Sequence, residues 1–216
     1  MSEIKKFGFV QKSASADMDK INAQALKELT PEDVFTFRVA AADDQVDRDY
    51  ERFTPEALAQ LAKLYVGKPI IMDHVWAASN QTARIYDAGA ERGLDGVTRL
   101  HLSAYMVRNE ATSPVVQAIE GGILREVSVG CAVKKAICSV CGTDKAKSRC
   151  YHRPGQTYDD IQCIVSLEDA EDAYECSFVA VPAQRQAGVV KAYGGENNQD
   201  EVDIALALLE LEENRI

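Results

Sequence analysis

Gly121-Gly122-Ile123-Leu124-Arg125-Glu126-Val127-Ser128-Val129-Gly130-Cys131-Ala132-Val133 is the stretch on which the reading of the chain turns. The double glycine stops whatever precedes it. A β-rich run with a period of two follows. Val127, Val129, Cys131 and Val133 share one face and suit burial, while Glu126, Ser128 and Gly130 share the other. Ser128 therefore lies on a polar face made of small residues, with Gly130 leaving space beside it. A hydroxyl there is either a solvated strand serine or a nucleophile facing a cleft. The residues around this strand decide between the two.

Upstream, Ser113-Pro114 opens a helix whose apolar side is Val115, Ala118 and Ile119. Residues 81–107 read as a hairpin or meander turning at Gly93 to Gly96. Lys68-Pro69-Ile70-Ile71-Met72-Asp73-His74 reads as a strand that runs into a loop. Thr54 caps a helix with Pro55 in its first turn, and Leu58, Leu61, Ala62 and Tyr65 form its buried stripe. Residues 34–40 are β-branched and aromatic and read as a strand. Downstream, residues 138–160 form an irregular cysteine-bearing insertion, and residues 161–167 and 173–181 read as two strands. Gly194-Gly195-Glu196-Asn197-Asn198 is a linker by composition, and residues 201–214 form an acidic amphipathic helix. The expected organisation is an N-terminal arm over residues 1–33, a domain over 34–192 with an insertion at 138–153, and a linker and helix over 193–216. With strands outnumbering helices, the fold class is α+β, mainly β.

The chain has 216 residues, 46% hydrophobic and 27% charged, which is enough apolar content for a packed core. Its formal net charge of -10 disfavours nucleic acid as a partner, because that surface needs clustered Lys and Arg. No apolar run reaches the roughly 18 residues of a membrane span. Met1-Ser2-Glu3-Ile4-Lys5-Lys6 is not followed by the apolar core of a secretory signal, so a reducing compartment is expected.

Cysteines in a reducing compartment are more often metal ligands or buried thiols than disulfides. Cys138-x2-Cys141-x8-Cys150-x-His152 supplies three thiolates and one imidazole at spacings that can converge on one ion, with Gly142 easing the turn. Such closed soft-donor sets suit structural Zn2+ and not magnesium or calcium. Lys134, Lys135, Lys145, Lys147, Arg149 and Arg153 make a local basic patch around it. Cys131, Cys163 and Cys176 fall outside the spacing and read as buried thiols in strands.

A nucleophilic serine needs a base, and a neutral histidine within hydrogen-bond reach supplies one. Of the three histidines, His152 goes to the metal set and His101 sits mid-strand as a structural residue. His74 stands at a strand end, where side chains meet clefts. The third member, a carboxylate that orients the base, is Glu175, with Asp172 competing and Asp73 open.

Three segments in order carry a family resemblance: Gly67-Lys68-Pro69-x4-His74; Ile119-x-Gly121-x-Ile123-x2-Glu126-Val127-Ser128-Val129-Gly130; and Tyr174-Glu175-Cys176-Ser177-Phe178-Val179-x-Val181-Pro182-Ala183. Over residues 34–191 the chain resembles the tailed-phage prohead (capsid maturation) proteases, which are similar to herpesvirus assemblins. The resemblance implies a compact assemblin-like β-barrel with flanking helices and a Ser-His-acid triad. It also implies serine endopeptidase activity on scaffold segments and capsid-protein extensions inside the procapsid, in the host cytoplasm. Matched residue by residue, Ser128 is the nucleophile, His74 the base and Glu175 the acid. The implied partners are the major capsid protein and scaffold segment, with self-association open and no membrane. The cysteine insertion departs from the basic family pattern. The alternative is a non-enzymatic capsid-assembly protein that keeps the barrel and a structural zinc site.

Overall fold

The structure, a computed structural model, describes residues 17–190; the expected linker and C-terminal helix lie outside the described residues. Short helix α1 (Met18–Asn22) precedes strands β1 (Val34–Asp43) and β2 (Glu51–Phe53), helix α2 (Pro55–Tyr65), strands β3 (Pro69–Met72), β4 (Ala83–Arg92) and β5 (Thr98–Val107), and helix α3 (Ser113–Glu120). Strands β6 (Val127–Cys138), β7 (Thr157–Tyr158), β8 (Ile161–Gln162), β9 (Val165–Phe178) and β10 (Gly188–Val190) follow. The class is α+β, mainly β.

Local chemistry accounts for the elements. In β1 the side chains alternate, so Phe35, Phe37, Val39 and Ala41 enter the core while Thr36 and Arg38 stay at the surface. The Thr54 hydroxyl accepts the Ala57 N–H at 3.2 Å, with Pro55 in the first turn of α2. Leu58, Leu61 and Tyr65 are fully buried on the inner stripe of that helix. Removing Leu58 and Leu61 from water contributes about 2 kcal/mol each. Helix α2 packs across β9, β4 and β5. Its Tyr65 hydroxyl reaches the Gly130 carbonyl at 3.0 Å and ties it to β6. At the other end of the core, Ile21 of α1 is buried with Val34, Tyr86 and Tyr105.

Eight strands form one mixed sheet in the order β10-β1-β5-β4-β3-β9-β2, with β6 also paired to β9. Strand β9 is its spine. It runs parallel to β2 through 165–167 and to β3 through 176–178, and antiparallel to β6 along its whole length.

Two expectations are corrected here. The sheet is not closed into a barrel. Its two ends meet at one isolated bridge, Glu126 to Gly188, because β10 has only three residues and these pair with β1. The two strands expected at 161–167 and 173–181 are instead the two-residue β8 and the fourteen-residue β9. Strand β9 passes through the charged run Glu168-Asp169-Ala170-Glu171-Asp172 because β6 pairs with it there and register shifts absorb the irregularity. Asp169, at φ 54°, is one residue that takes up the bend.

Candidate functional site

Strands β3, β9 and β6 lie side by side, and this order brings the expected triad residues together. Ser128 pairs with Ser177, and Gly130 with Glu175, across the β6–β9 ladder. Paired residues share a face, so Ser128, Ser177 and Glu175 project to the same side. His74 follows the end of β3, whose Met72 pairs with Phe178.

The turn at His74 is built tightly. Asp73 and His74 both adopt left-handed backbone conformations, at φ 53° and 55°. That conformation costs a non-glycine residue about 1 kcal/mol or more. It persists because the surroundings hold it. The Asp73 N–H donates to the Phe178 carbonyl at 2.9 Å, and the Val75 N–H to Met72 at 3.0 Å. Asn80 clamps the loop by donating to the Met72 and Val75 carbonyls at 2.8 and 2.9 Å.

The result is an oriented imidazole. His74 Nδ1 lies 2.8 Å from Glu175 Oε1. The His74 side chain is 41% exposed and that of Glu175 4% exposed. With the carboxylate ionised, Nδ1 must carry the proton, and Nε2 keeps its lone pair. Gly130 is what admits the carboxylate: a Cβ at position 130 would run into Glu175 Oε1. Of the competing acids, Asp172 is engaged elsewhere, 3.2 Å from Lys68 Nζ and accepting the Ala173 N–H at 2.8 Å. Asp73 contributes its backbone to the turn. Ser128 is half-buried, and among the described residues its hydroxyl has no hydrogen-bond partner. It stands one rung from the His74–Glu175 pair and is not bonded to it.

Ser177 was not singled out from the sequence. It is fully buried, and its hydroxyl touches both Glu175 and the His74 backbone. Only its alternation with Phe178 and Cys176 on the spine strand could have flagged it.

A cavity of about 270 Å³ adjoins Ser128. Phe53, Val129, Cys131 and Leu167 line it on the apolar side, and Asp47 and Glu51 on the acidic side. Burial pushes both of these carboxyls above their ordinary range. Burial likewise pushes the Cys131 thiol up to about 11 and the Cys176 thiol higher still, so both are inert apolar groups. His101, in β5, is also a structural residue. Burial brings its imidazole down to about 4, helped by the Arg38 charge, and its Nδ1 has no hydrogen-bond partner.

The far end of the same two strands carries the sulfur cluster. Cys138 closes β6 opposite Val165, and the chain turns back through Gly142 at φ 70°. The ligating atoms of Cys138, Cys141, Cys150 and His152 all lie within 4.8 Å of one another. Cys141 Sγ is 3.5 Å from Cys150 Sγ, and His152 Nδ1 is 3.6 Å from Cys150 Sγ and 3.8 Å from Cys138 Sγ. A tetrahedral ion with bonds of about 2.0–2.3 Å has ligand–ligand edges of roughly 3.3–3.8 Å, so the donor set fits a metal ion. Burial opposes the Cys138 thiolate, but the backbone N–H groups of Cys141 and Val140 and the neighbouring thiols outweigh it and bring the group down to about 7. The Tyr158 ring packs edge-on to His152, with centroids 4.5 Å apart.

Cys163 corrects the sequence expectation. It lies between β8 and β9, not in a strand, and its Sγ is 3.8 Å from Cys138 Sγ. It escaped notice because it stands outside the local ligand spacing. The basic patch is largely answered from within: Lys135 pairs with Asp169 at 2.7 Å, Lys147 with Asp144 at 3.4 Å, and Lys145 donates to the His152 carbonyl at 2.7 Å.

Among the described residues no helix is long and apolar enough to cross a membrane. Comparison of the chain with protein-family models, with curated proteins and with solved structures returned no match.

Proposed function

We propose that the protein is a serine endopeptidase of the prohead-protease type, in which Ser128, His74 and Glu175 form the triad. The observation that carries this reading is the 2.8 Å bond from His74 Nδ1 to the buried Glu175 carboxylate, one ladder rung from a half-buried serine hydroxyl. An exposed imidazole held by a buried acid is the arrangement a general base needs. The separation of Ser128 from His74 is compatible with that role, since catalytic hydrogen bonds often tighten only when substrate is bound.

In the proposed reaction, His74 Nε2 takes the Ser128 proton as Oγ bonds to a peptide carbonyl carbon. The tetrahedral intermediate collapses, the C–N bond breaks, and Nε2–H passes the proton to the departing amine. Water then attacks the acyl-enzyme, with His74 again accepting the proton, and Ser128 is regenerated. Glu175 stabilises the imidazolium in both halves. The cavity beside Ser128 has room for a substrate side chain.

The substrates in this reading are the scaffold segment and capsid-protein extension, cut inside the procapsid. The cysteine lobe holds Zn2+ through Cys138, Cys141, Cys150 and His152. The ion pins the loop after β6 to the start of β9 and takes no part in the chemistry.

The test is co-expression with the adjacent capsid protein, wild type against Ser128→Ala, read by intact mass. Defined truncation only with wild type is the expected result. The second reading, a non-enzymatic capsid-assembly protein, is favoured by the unbonded Ser128 hydroxyl. It predicts identical masses in both samples.

A further inference from the structure

We propose that Ser177 is a positioning residue that sets both the acid and the base of the site, a role that rests on the protease reading only for its effect on turnover. Its side chain is completely buried, in a strand where the adjacent Cys176 and Phe178 serve the core. A serine at such a place loses its solvation and is retained only if its hydroxyl is satisfied. Here it is satisfied twice. Ser177 Oγ lies 2.5 Å from Glu175 Oε2 and 3.1 Å from the His74 backbone nitrogen.

The proton inventory fixes the direction of both bonds. A backbone N–H can only donate, so Ser177 Oγ accepts from His74. An ionised carboxylate can only accept, so Ser177 donates its single proton to Glu175. One hydroxyl therefore spans the two residues. It occupies Oε2 and leaves Oε1 to His74 Nδ1. By accepting the His74 N–H it also holds that residue in its left-handed conformation, at φ 55°. Gly130 closes the remaining side of the carboxylate, since a side chain there would collide with it. Glu175 is thus confined by Ser177, His74 and the β6 backbone, at 3% exposure.

Ser177 cannot itself be the nucleophile in this arrangement. It is sealed from solvent and its proton is committed to a carboxylate. Ser128, its partner across the ladder, is the exposed member of the two.

The prediction is graded by donor strength. Ser177→Ala removes the donor and the acceptor. Ser177→Cys keeps the size with a weak donor. Turnover (kcat) on a capsid-derived peptide is expected to fall on the order of a hundredfold in the alanine variant, with KM nearly unchanged, because misplacing a catalytic group by about 1 Å has that effect. The cysteine variant falls in between. A second readout does not need catalysis. Two-bond nitrogen–proton correlation of the His74 ring, assigned against His74→Gln, reports the tautomer directly. Wild type is expected to show the Nδ1–H form, and Ser177→Ala a mixture with Nε2–H.

If the tautomer and kcat both stay at wild-type values in Ser177→Ala and Ser177→Cys, the proposal is overturned. An equal loss of activity in both, following their loss of thermal stability with an unchanged tautomer, overturns it in favour of a purely structural serine. If wild type cleaves nothing but its His74 tautomer still responds to Ser177→Ala, the positioning role stands and the protease reading fails. Should the alanine variant not fold, the cysteine variant decides by the same criteria.

Discussion

Strands β6 and β9 carry two different sites at their two ends, and the two are held together by different physics. At one end, residues 74, 128, 175 and 177 meet only because the sheet order places β3, β9 and β6 side by side. His74 and Glu175 are 101 residues apart in sequence. Their geometry depends on burial, on one shared hydroxyl and on a glycine. At the other end, Cys138, Cys141, Cys150 and His152 come from a window of 15 residues. Two of the three cysteines there are not buried, so the surrounding loop has little core of its own. Its order has to come from the ligands. A site made by packing and a site made by ligation should therefore fail under different insults.

The largest expected effect is Ser128→Ala at the first site. Peptide cleavage should drop roughly 10⁴- to 10⁶-fold, with thermal stability unchanged, as single-turnover assays and calorimetry would show. Cleavage that survives this substitution and stops on chelation would invert the comparison and move the chemistry to the sulfur cluster.

Chelation is the next test, and here the second site should respond alone. Structural zinc contributes about 10–16 kcal/mol of binding energy in small zinc peptides. Metal removal should abolish amide protection across residues 138–163 in hydrogen exchange while residues 69–72 and 173–178 keep theirs. Uniform loss of protection would mean that the lobe and the sheet fold as one unit. Loss confined to the lobe would sharpen the distinction.

Gly130→Ala probes how closely the first site is packed. The added methyl must displace the Glu175 carboxylate, which is pinned by Ser177 and His74. We expect kcat to fall about tenfold to a hundredfold and stability to change by about 1–3 kcal/mol. Unaltered kinetics would show that Glu175 can move without consequence.

The smallest effect concerns His101, away from both sites. Its folded-state pKa of about 4 lies below the ordinary 6.5 because burial disfavours the charged ring. The unfolded chain therefore takes up this proton first. The resulting stability is complete above pH 6.5 and is lost as pH falls towards 4. His101→Phe should flatten that part of the stability profile. Partial exposure of the ring limits the change to about 1 kcal/mol, measurable by urea unfolding at a series of pH values.

Local signals were legible because they act over a few residues. Thr54-Pro55 declared the start of α2, and the apolar spacing from Leu58 to Tyr65 declared its buried face. The alternation after Gly122 declared β6, and the cysteine spacing declared a cluster that the structure brings within 4.8 Å. The charged run 168–172 concealed that β9 is continuous, since a strand covered by a long partner tolerates charges that an isolated segment would read as a loop. Cys163 was hidden because its neighbour, Cys138, is 25 residues away.

The sequence by itself determined the class of fold, the boundaries of most elements, the donor set of the sulfur cluster and the serine, histidine and glutamate worth watching. These follow from side-chain period, capping and spacing, which need no knowledge of distant residues. Only the tertiary structure decided that Glu175 and not Asp172 meets His74, that Ser177 joins them, that Gly130 makes the room, and that the sheet stays open. Those facts depend on register. A shift of one residue along β9 would turn Glu175 and Ser177 to the opposite face and replace them with Tyr174, Cys176 and Phe178. The register is fixed by the burial of Cys176 and Phe178 against the core, and that is a property of the whole sheet.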